Sequence, residues 1–202
     1  GYFTTINGIS ANKIAKWNGS TWSAVGTGMD NFTSTLAVFN NELYAGGDFN
    51  TAGGVSANKI AKWNGSTWSA LGTGMNMPVW ALSYFNNELY AGGYFTTADG
   101  APATRIARWN GSSWLAMGDG MNNGINAFAV FNNELYAGGA FTTADGTPAI
   151  RIAKWNGSTW STIGTGMNNA VYALAVFNNE LYAGGNFTVT NELSTNYIAK
   201  FG

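Results

Sequence analysis

Phe39-Asn40-Asn41-Glu42-Leu43-Tyr44-Ala45-Gly46-Gly47 is the stretch that decides the fold, because the same nine residues return at Phe85, Phe131 and Phe177, 46 positions apart each time. An apolar run precedes the phrase, as in Val171-Tyr172-Ala173-Leu174-Ala175-Val176-Phe177. The Asn-Asn pair reads as a two-residue turn, since Asn tolerates the positive φ that tight hairpins need. Glu-Leu-Tyr-Ala then runs back and stops at the double Gly. A second phrase keeps the same period: Ile-Ala-Lys/Arg-Trp/Phe begins at Ile14, Ile60, Ile106, Ile152 and Ile198. In complete copies it runs into Asn64-Gly65-Ser66-Thr67-Trp68 and ends at Gly72-Thr73-Gly74. Asn-Gly between apolar strands is the strongest short hairpin signal. A longer Thr/Gly/Ala loop separates the double Gly from the Ile strand. Each 46-residue unit therefore reads as four short strands in a meander, and no segment carries the 3.6-residue period of a helix.

A four-stranded unit of this length cannot bury two apolar faces alone, but packing units side by side buries each face on a neighbour. The sequence thus predicts an all-β protein, a β-propeller of four-stranded antiparallel blades. Ring packing explains why the first strand is apolar on both sides. It also explains the Trp pairs 17/22, 63/68, 109/114 and 155/160, whose rings fill the widening gap between blades at larger radius. The chain reads as one propeller domain over residues 1–202. It divides into a partial blade 1–34, blades near 35–78, 79–124 and 125–170, and a partial blade 171–202, four to five blades in all. Residues 1–18 and 185–202 share a phase, so neither a ring of four nor a ring of five closes without surplus or deficit. The expectation is an excerpt of a longer array, or a chain that associates with another chain.

Composition excludes much of the remaining function space. Charged residues are 9% of the chain, net charge is −1, and there is neither His nor Cys, where about 25% charged is usual. Disulfides, zinc sites of the Cys/His kind and His-dependent triads are ruled out. Nucleic acid is not expected as a partner, because phosphate binding needs a basic face. No apolar run approaches the roughly 18 residues of a spanning helix, so no membrane insertion is expected. With 15% aromatics the chain is not disordered in composition.

The phrase Leu-Tyr-Ala-Gly-Gly, then an aromatic in the third strand and a Trp opening the fourth, resembles the kelch repeat. Gly92-Gly93 takes the double-Gly role, Trp109 the Tyr position and Trp114 the Trp position. The likeness recurs in every unit. It departs from the family in having Trp for Tyr and in lacking the basic residues many kelch units carry. The phrasing is also similar to kelch-like repeats in large secreted or surface proteins of bacteria. The resemblance implies a β-propeller that serves as a binding scaffold, a few members of the family being enzymes.

Comparing the units with one another locates a candidate site. The Asn-Asn-Glu and Asn-Gly-Ser turns hardly change, whereas the connection from fourth to next first strand does: Asp30-Asn31-Phe32-Thr33-Ser34, Asn76-Met77-Pro78-Val79-Trp80, Asn122-Asn123-Gly124-Ile125-Asn126, Asn168-Asn169-Ala170-Val171-Tyr172. The loops from second to third strand, such as 50–59 and 96–105, change too. In an up-and-down meander these variable segments share one face. Candidate ligand-binding residues are Ser34, Trp80, Asn126 and Tyr172, at the start of the innermost strands, with Phe32, Met77, Asn123 and Asn169 beside them. Drift in idle loops is the competing reading. The repeated Glu42, Glu88, Glu134 and Glu180 are expected to satisfy their own turn or pair with a nearby Lys rather than hold metal, and the repeated cations are one structural position. Asp99-Gly100 and Asp145-Gly146 read as turns, not calcium loops, and the Asn-x-Ser/Thr sequences from Asn18 to Asn156 as hairpin chemistry. No catalytic residue, metal or cofactor is expected. The leading expectation is a non-enzymatic binding or adhesion scaffold at a bacterial cell surface or outside it, taking protein or glycan at the variable face. A propeller lectin with one site per blade and a purely structural repeat of a large surface protein are the alternatives.

Overall fold

The computed structural model describes residues 1–201, so the last residue of the 171–202 partial blade lies outside it. All regular structure among these residues is β. One complete blade consists of Val79–Phe85, Glu88–Gly93, Ile106–Trp109 and Trp114–Ala116, hydrogen-bonded in chain order as an antiparallel meander. The same sheet recurs at Thr33–Phe39 to Trp68–Ala70 and at Ile125–Phe131 to Trp160–Thr162. The predicted strands are thus present at the predicted places. The two-residue turns are also as read: Asn86 and Asn87 both carry positive φ, 47° and 68°. In the other hairpin the Asn64 carboxamide oxygen accepts the N–H groups of Ser66 and Thr67, each at 2.9 Å.

Three local features organise each blade. The first strand carries an extra residue: Val79 pairs with Gly93 and Ala81 with Gly92, leaving Trp80 bulged out of the ladder. The double Gly answers two close approaches. A Cβ on Gly93 would run into the Pro78 carbonyl just before the bulge, and a Cβ on Gly92 would lie 2.7 Å from Cγ2 of Ile125 in the next blade. The third feature departs from the sequence reading. The segment taken as an open loop holds a miniature hairpin, Thr97–Ala98 with Ala101–Pro102, turning on Asp99 and Gly100, both at positive φ. Its carboxylate accepts the Thr73 N–H at 2.7 Å and the Trp114 N–H at 3.0 Å, so the hairpin is fastened across to the preceding blade. Two-residue strands offer no alternation to read, which is why sequence inspection missed them.

The core lies between blades. Tyr44 and Ile60 from one blade pack with Leu82, Leu89 and Trp114 of the next, together with Leu71 and Met75 from the connection. The Trp pairs do bridge blades, but their members divide the task. The rings of Trp109 and Trp114 sit 5.4 Å apart. The second is buried and donates its indole N–H to the Leu71 carbonyl of the preceding unit at 3.2 Å, while the first is half-buried. Trp68 does the same to Val25 at 3.0 Å. Each repeated Glu pairs with the cation twenty residues on, as Glu88 with Arg108 at 2.6 Å and Glu42 with Lys62 at 3.0 Å. The structural reading of these charges therefore matches the geometry.

The ends are incomplete. At the start the miniature hairpin Thr5–Ile6 with Ile9–Ser10 is followed by the pair Ala15–Trp17 and Trp22–Ala24, which hold the third- and fourth-strand positions. At the other end Val171–Phe177, Glu180–Gly185 and Ile198–Phe201 form a sheet of three. Among the described residues no hydrogen-bonded ladder joins the two ends, so the blades form a row that no shared sheet closes.

Candidate functional site

The bulge builds the candidate site. In each unit the register slips at one position, between Thr33 and Thr35, Val79 and Ala81, Ile125 and Ala127, Val171 and Ala173. The extra residues are Ser34, Trp80, Asn126 and Tyr172, the four leading candidates. A bulge frees its residue from the inward/outward alternation that packing imposes on its neighbours and re-aims its side chain. The residue before each bulge is buried, Val79, Ile125 and Val171 completely, whereas Trp80 and Tyr172 are exposed. Variation is therefore tolerated at a position that the ladder does not use.

The four bulged residues converge on a single cavity of about 680 Å³, where the first strands begin. Phe32 and Thr33 line it as well, along with Tyr2 and Tyr94. Aromatic rings follow one another along one side: Tyr2 to Phe32 at 4.7 Å, Phe32 to Trp80 at 6.0 Å, and Trp80 edge-on to Tyr94 at 6.1 Å. The Arg105 guanidinium stands 6.0 Å from the centre of the Tyr94 ring. On the other side the Asn126 carboxamide donates to the Val171 carbonyl at 2.8 Å, which ties it to the next blade and leaves its oxygen free to accept. Asn186 donates to the Tyr172 hydroxyl at 3.4 Å. No residue lining the cavity is acidic or basic.

Met77, Asn123 and Asn169 do not line the cavity. Met77 is exposed, and the side chains of Asn123 and Asn169 accept the N–H groups of the residues that follow them, Gly124 and Ala170, at 2.8 Å each. The head of each variable connection is likewise structural. Asn76 accepts from the N–H groups of Thr96 at 2.9 Å and Thr97 at 3.0 Å, and Asp30, Asn122 and Asn168 hold the same clamp. Tyr2 and Tyr94 were missed by the sequence reading. The signal was present: the residue after the double Gly is Asp48, Tyr94, Ala140 and Asn186 in successive units, as variable as the bulge position.

No protein-family model matches the chain, and no curated protein matches it. Solved structures do. The computationally designed Ika4 protein is 19% identical with a TM-score of 0.55, over 86% of this chain and 92% of that one. The designed Ika8 protein is 20% identical with a TM-score of 0.52, over 76% and 43%. The WD40 β-propeller domain of Doa1 is 12% identical with a TM-score of 0.53, over 85% and 50%. This chain therefore spans less than half the length of the Ika8 chain and half that of the Doa1 chain. At such identities the likeness is one of fold: the blades are those of a β-propeller.

Proposed function

We propose that the chain is a non-enzymatic binding scaffold that takes a segment of a partner protein at the cavity where the first strands begin. The observation that carries this reading is the convergence of the four bulged, non-repeating side chains on one cavity, in a chain whose turn and second-strand phrases repeat from unit to unit. Exposed Trp and Tyr rings supply large contact area at low conformational cost, which is why such residues dominate binding hot spots. An uncharged lining favours apolar and aromatic partner side chains over phosphate or carboxylate groups. The chain contains no His or Cys to serve as base, nucleophile or metal ligand, which supports a role in binding rather than catalysis.

The kelch-like repeat is our assignment of the subfamily, on the double Gly and the Trp pair, and with it we place the protein outside the cell or at a bacterial cell surface, acting in adhesion. A glycan is the second reading. It is favoured by Trp80 and Tyr172, whose exposed rings line the cavity and suit the apolar face of a pyranose, and by the free acceptor of Asn126. Selection of a displayed peptide library and a glycan array, each probed with the wild type and with Trp80→Ala and Tyr172→Ala, tests the proposal. Peptide ligands lost in both variants are the expected result. Glycan binding lost in both moves the assignment to the second reading. Ligands retained by both variants refute the site.

A further inference from the structure

We propose that the partner segment carries a carboxylate close to the apolar or aromatic group that it seats in the cavity, and that Lys13, Arg105 and Arg151 at the edge of the cavity receive it. The inference rests on the binding reading above and names the chemistry of the partner.

Four units place one cation just after the miniature hairpin: Lys13, Lys59, Arg105 and Arg151, 46 residues apart. Two bonds hold each of them. The backbone N–H donates to a Phe carbonyl in the same unit, as Arg105 to Phe95 at 2.8 Å and Lys13 to Phe3 at 2.9 Å. The side chain donates to the carbonyl of the residue directly after the double Gly: Lys13 to Tyr2, Lys59 to Asp48, Arg105 to Tyr94 and Arg151 to Ala140. Tyr2 and Tyr94 line the cavity. The cations therefore stand immediately behind the lining rather than within it. The Tyr94 ring gives the scale, being 6.1 Å from the Trp80 ring and 6.0 Å from the Arg105 guanidinium. Trp80 and Arg105 are thus no more than about four extended residues apart.

Charge is unbalanced at this edge. Lys59 is matched by Asp48 at 3.1 Å. Lys13, Arg105 and Arg151 have no carboxylate within ion-pair reach among the described residues. The carboxylates of the neighbouring connections are committed to backbone. Asp30 accepts the N–H groups of Asn50 and Thr51, Asp99 those of Thr73 and Trp114, and Asp145 that of Asp119. Asp119 and Glu192 are exposed and form no ion pair among the described residues. The three cations are half-buried, so they lose part of their water without gaining a counter-charge, an arrangement that folding alone disfavours. Both guanidinium groups donate to the chain through Nη1, and the Nε of each is buried without an acceptor. Nη2 is left uncommitted. A carboxylate supplies the charge and the acceptors that the chain withholds, and hydrogen bonds between charged groups are the stronger kind.

The backbone does not require the charge. Tyr197 takes the cation's place in the following unit at φ 65°, against 67° for Arg105. Its N–H donates to Phe187 at 3.1 Å and its carbonyl accepts from Gly185 at 3.0 Å, as Arg105 does with Phe95 at 2.8 Å and Gly93 at 3.0 Å. The positive charge is therefore separable from the turn that carries it. With a net charge of −1 the chain as a whole does not draw anions in, so selection for a carboxylate acts at contact distance.

Three pools of immobilised peptides test the proposal. Each has a central Trp, Tyr or Phe, flanked within about four residues by Asp/Glu in the first pool, Asn/Gln in the second and Lys/Arg in the third. The full chain should bind the acidic pool at least about tenfold more tightly than the amide pool. That margin should shrink near 1 M salt, where the screening length is ~3 Å. In Lys13→Gln/Arg105→Gln/Arg151→Gln the two pools should bind alike, and the milder Arg105→Tyr and Arg151→Tyr, which copy Tyr197, should each narrow the margin, with circular dichroism confirming the fold. Arg105→Lys should keep the preference. Wild-type binding that is equal for the acidic and amide pools overturns the proposal, as does a preference for the basic pool or an acidic preference that the triple and both Tyr variants leave untouched. In each of those cases the cavity reading stands if Trp80→Ala and Tyr172→Ala still abolish binding. No binding of any pool, or binding that survives both of those variants, overturns the cavity as a site and this inference with it.

Discussion

Replacing Trp114 by Ala isolates what holds one blade to the next. The ring is buried between the blade of 79–116 and the one before it, its N–H reaches the Leu71 carbonyl at 3.2 Å, and it packs tilted against Trp109 with ring centres 5.4 Å apart. Truncating a buried Trp costs about 3–5 kcal/mol. About 1 kcal/mol of that is the hydrogen bond, and about 0.5–1.5 kcal/mol the aromatic pair. Trp22 is the internal control. It keeps the same tilted contact with Trp17, also at 5.4 Å, but is only half-buried and, among the described residues, has no preceding blade to receive its N–H. Trp22→Ala should therefore lose mainly the aromatic contact and part of the burial, about 1–2 kcal/mol. With a urea slope of ~3 kcal/mol/M, the midpoint falls by about 1–1.7 M for Trp114→Ala and by about 0.5 M for Trp22→Ala. Circular dichroism should follow the transition, because removing a Trp alters the fluorescence directly. Equal shifts for the two variants would refute the idea that Trp114 acts across the blade junction.

Three further outcomes follow from the same geometry. Gly92→Ala forces a Cβ to 2.7 Å from Ile125 and should destabilise by about 1–3 kcal/mol, whereas Gly184→Ala should stay within ~0.5 kcal/mol; paired denaturation curves check this. Burial, and then the hydrogen bond to Glu42, push the Tyr44 hydroxyl up to about 12 from 10.0. The unfolded chain therefore releases this proton first, so stability present below pH 10 should fall as pH rises towards 12, with phenolate absorbance and melting temperature recorded together. Arg108→Gln breaks the pair with Glu88, whose side chains are both partly solvated, and should cost no more than about 1 kcal/mol, read as a small shift in melting temperature.

How much of this was legible in the sequence depends on the length of the signal. The seven-residue first strands, the Asn-Asn and Asn-Gly turns and the Glu–cation spacing repeat without insertion, so local chemistry and period alone located them. The variable candidates were found by comparing units, and the bulge explains why Ser34, Trp80, Asn126 and Tyr172 can vary. The bulge itself left no mark, because a slipped register is a relation between two strands and not a property of either. The miniature hairpin at Thr97–Pro102 is too short to show periodicity. Tyr2 and Tyr94 carried a readable signal, variation after the double Gly, but only the fold brings that position beside the bulge. Ring closure could not be counted out of 46-residue steps, since the answer depends on which partial strands pair.

The bulge has a consequence for how such a chain acquires new specificity. Its residue is excluded from the ladder and from the inter-blade core, so mutating it costs the fold little, yet every such residue faces the same cavity. Each blade thus contributes one letter to a shared recognition word. Adding a blade multiplies the surfaces that can be written while leaving the grammar of packing unchanged, and selection on binding can proceed without negotiating with selection on stability.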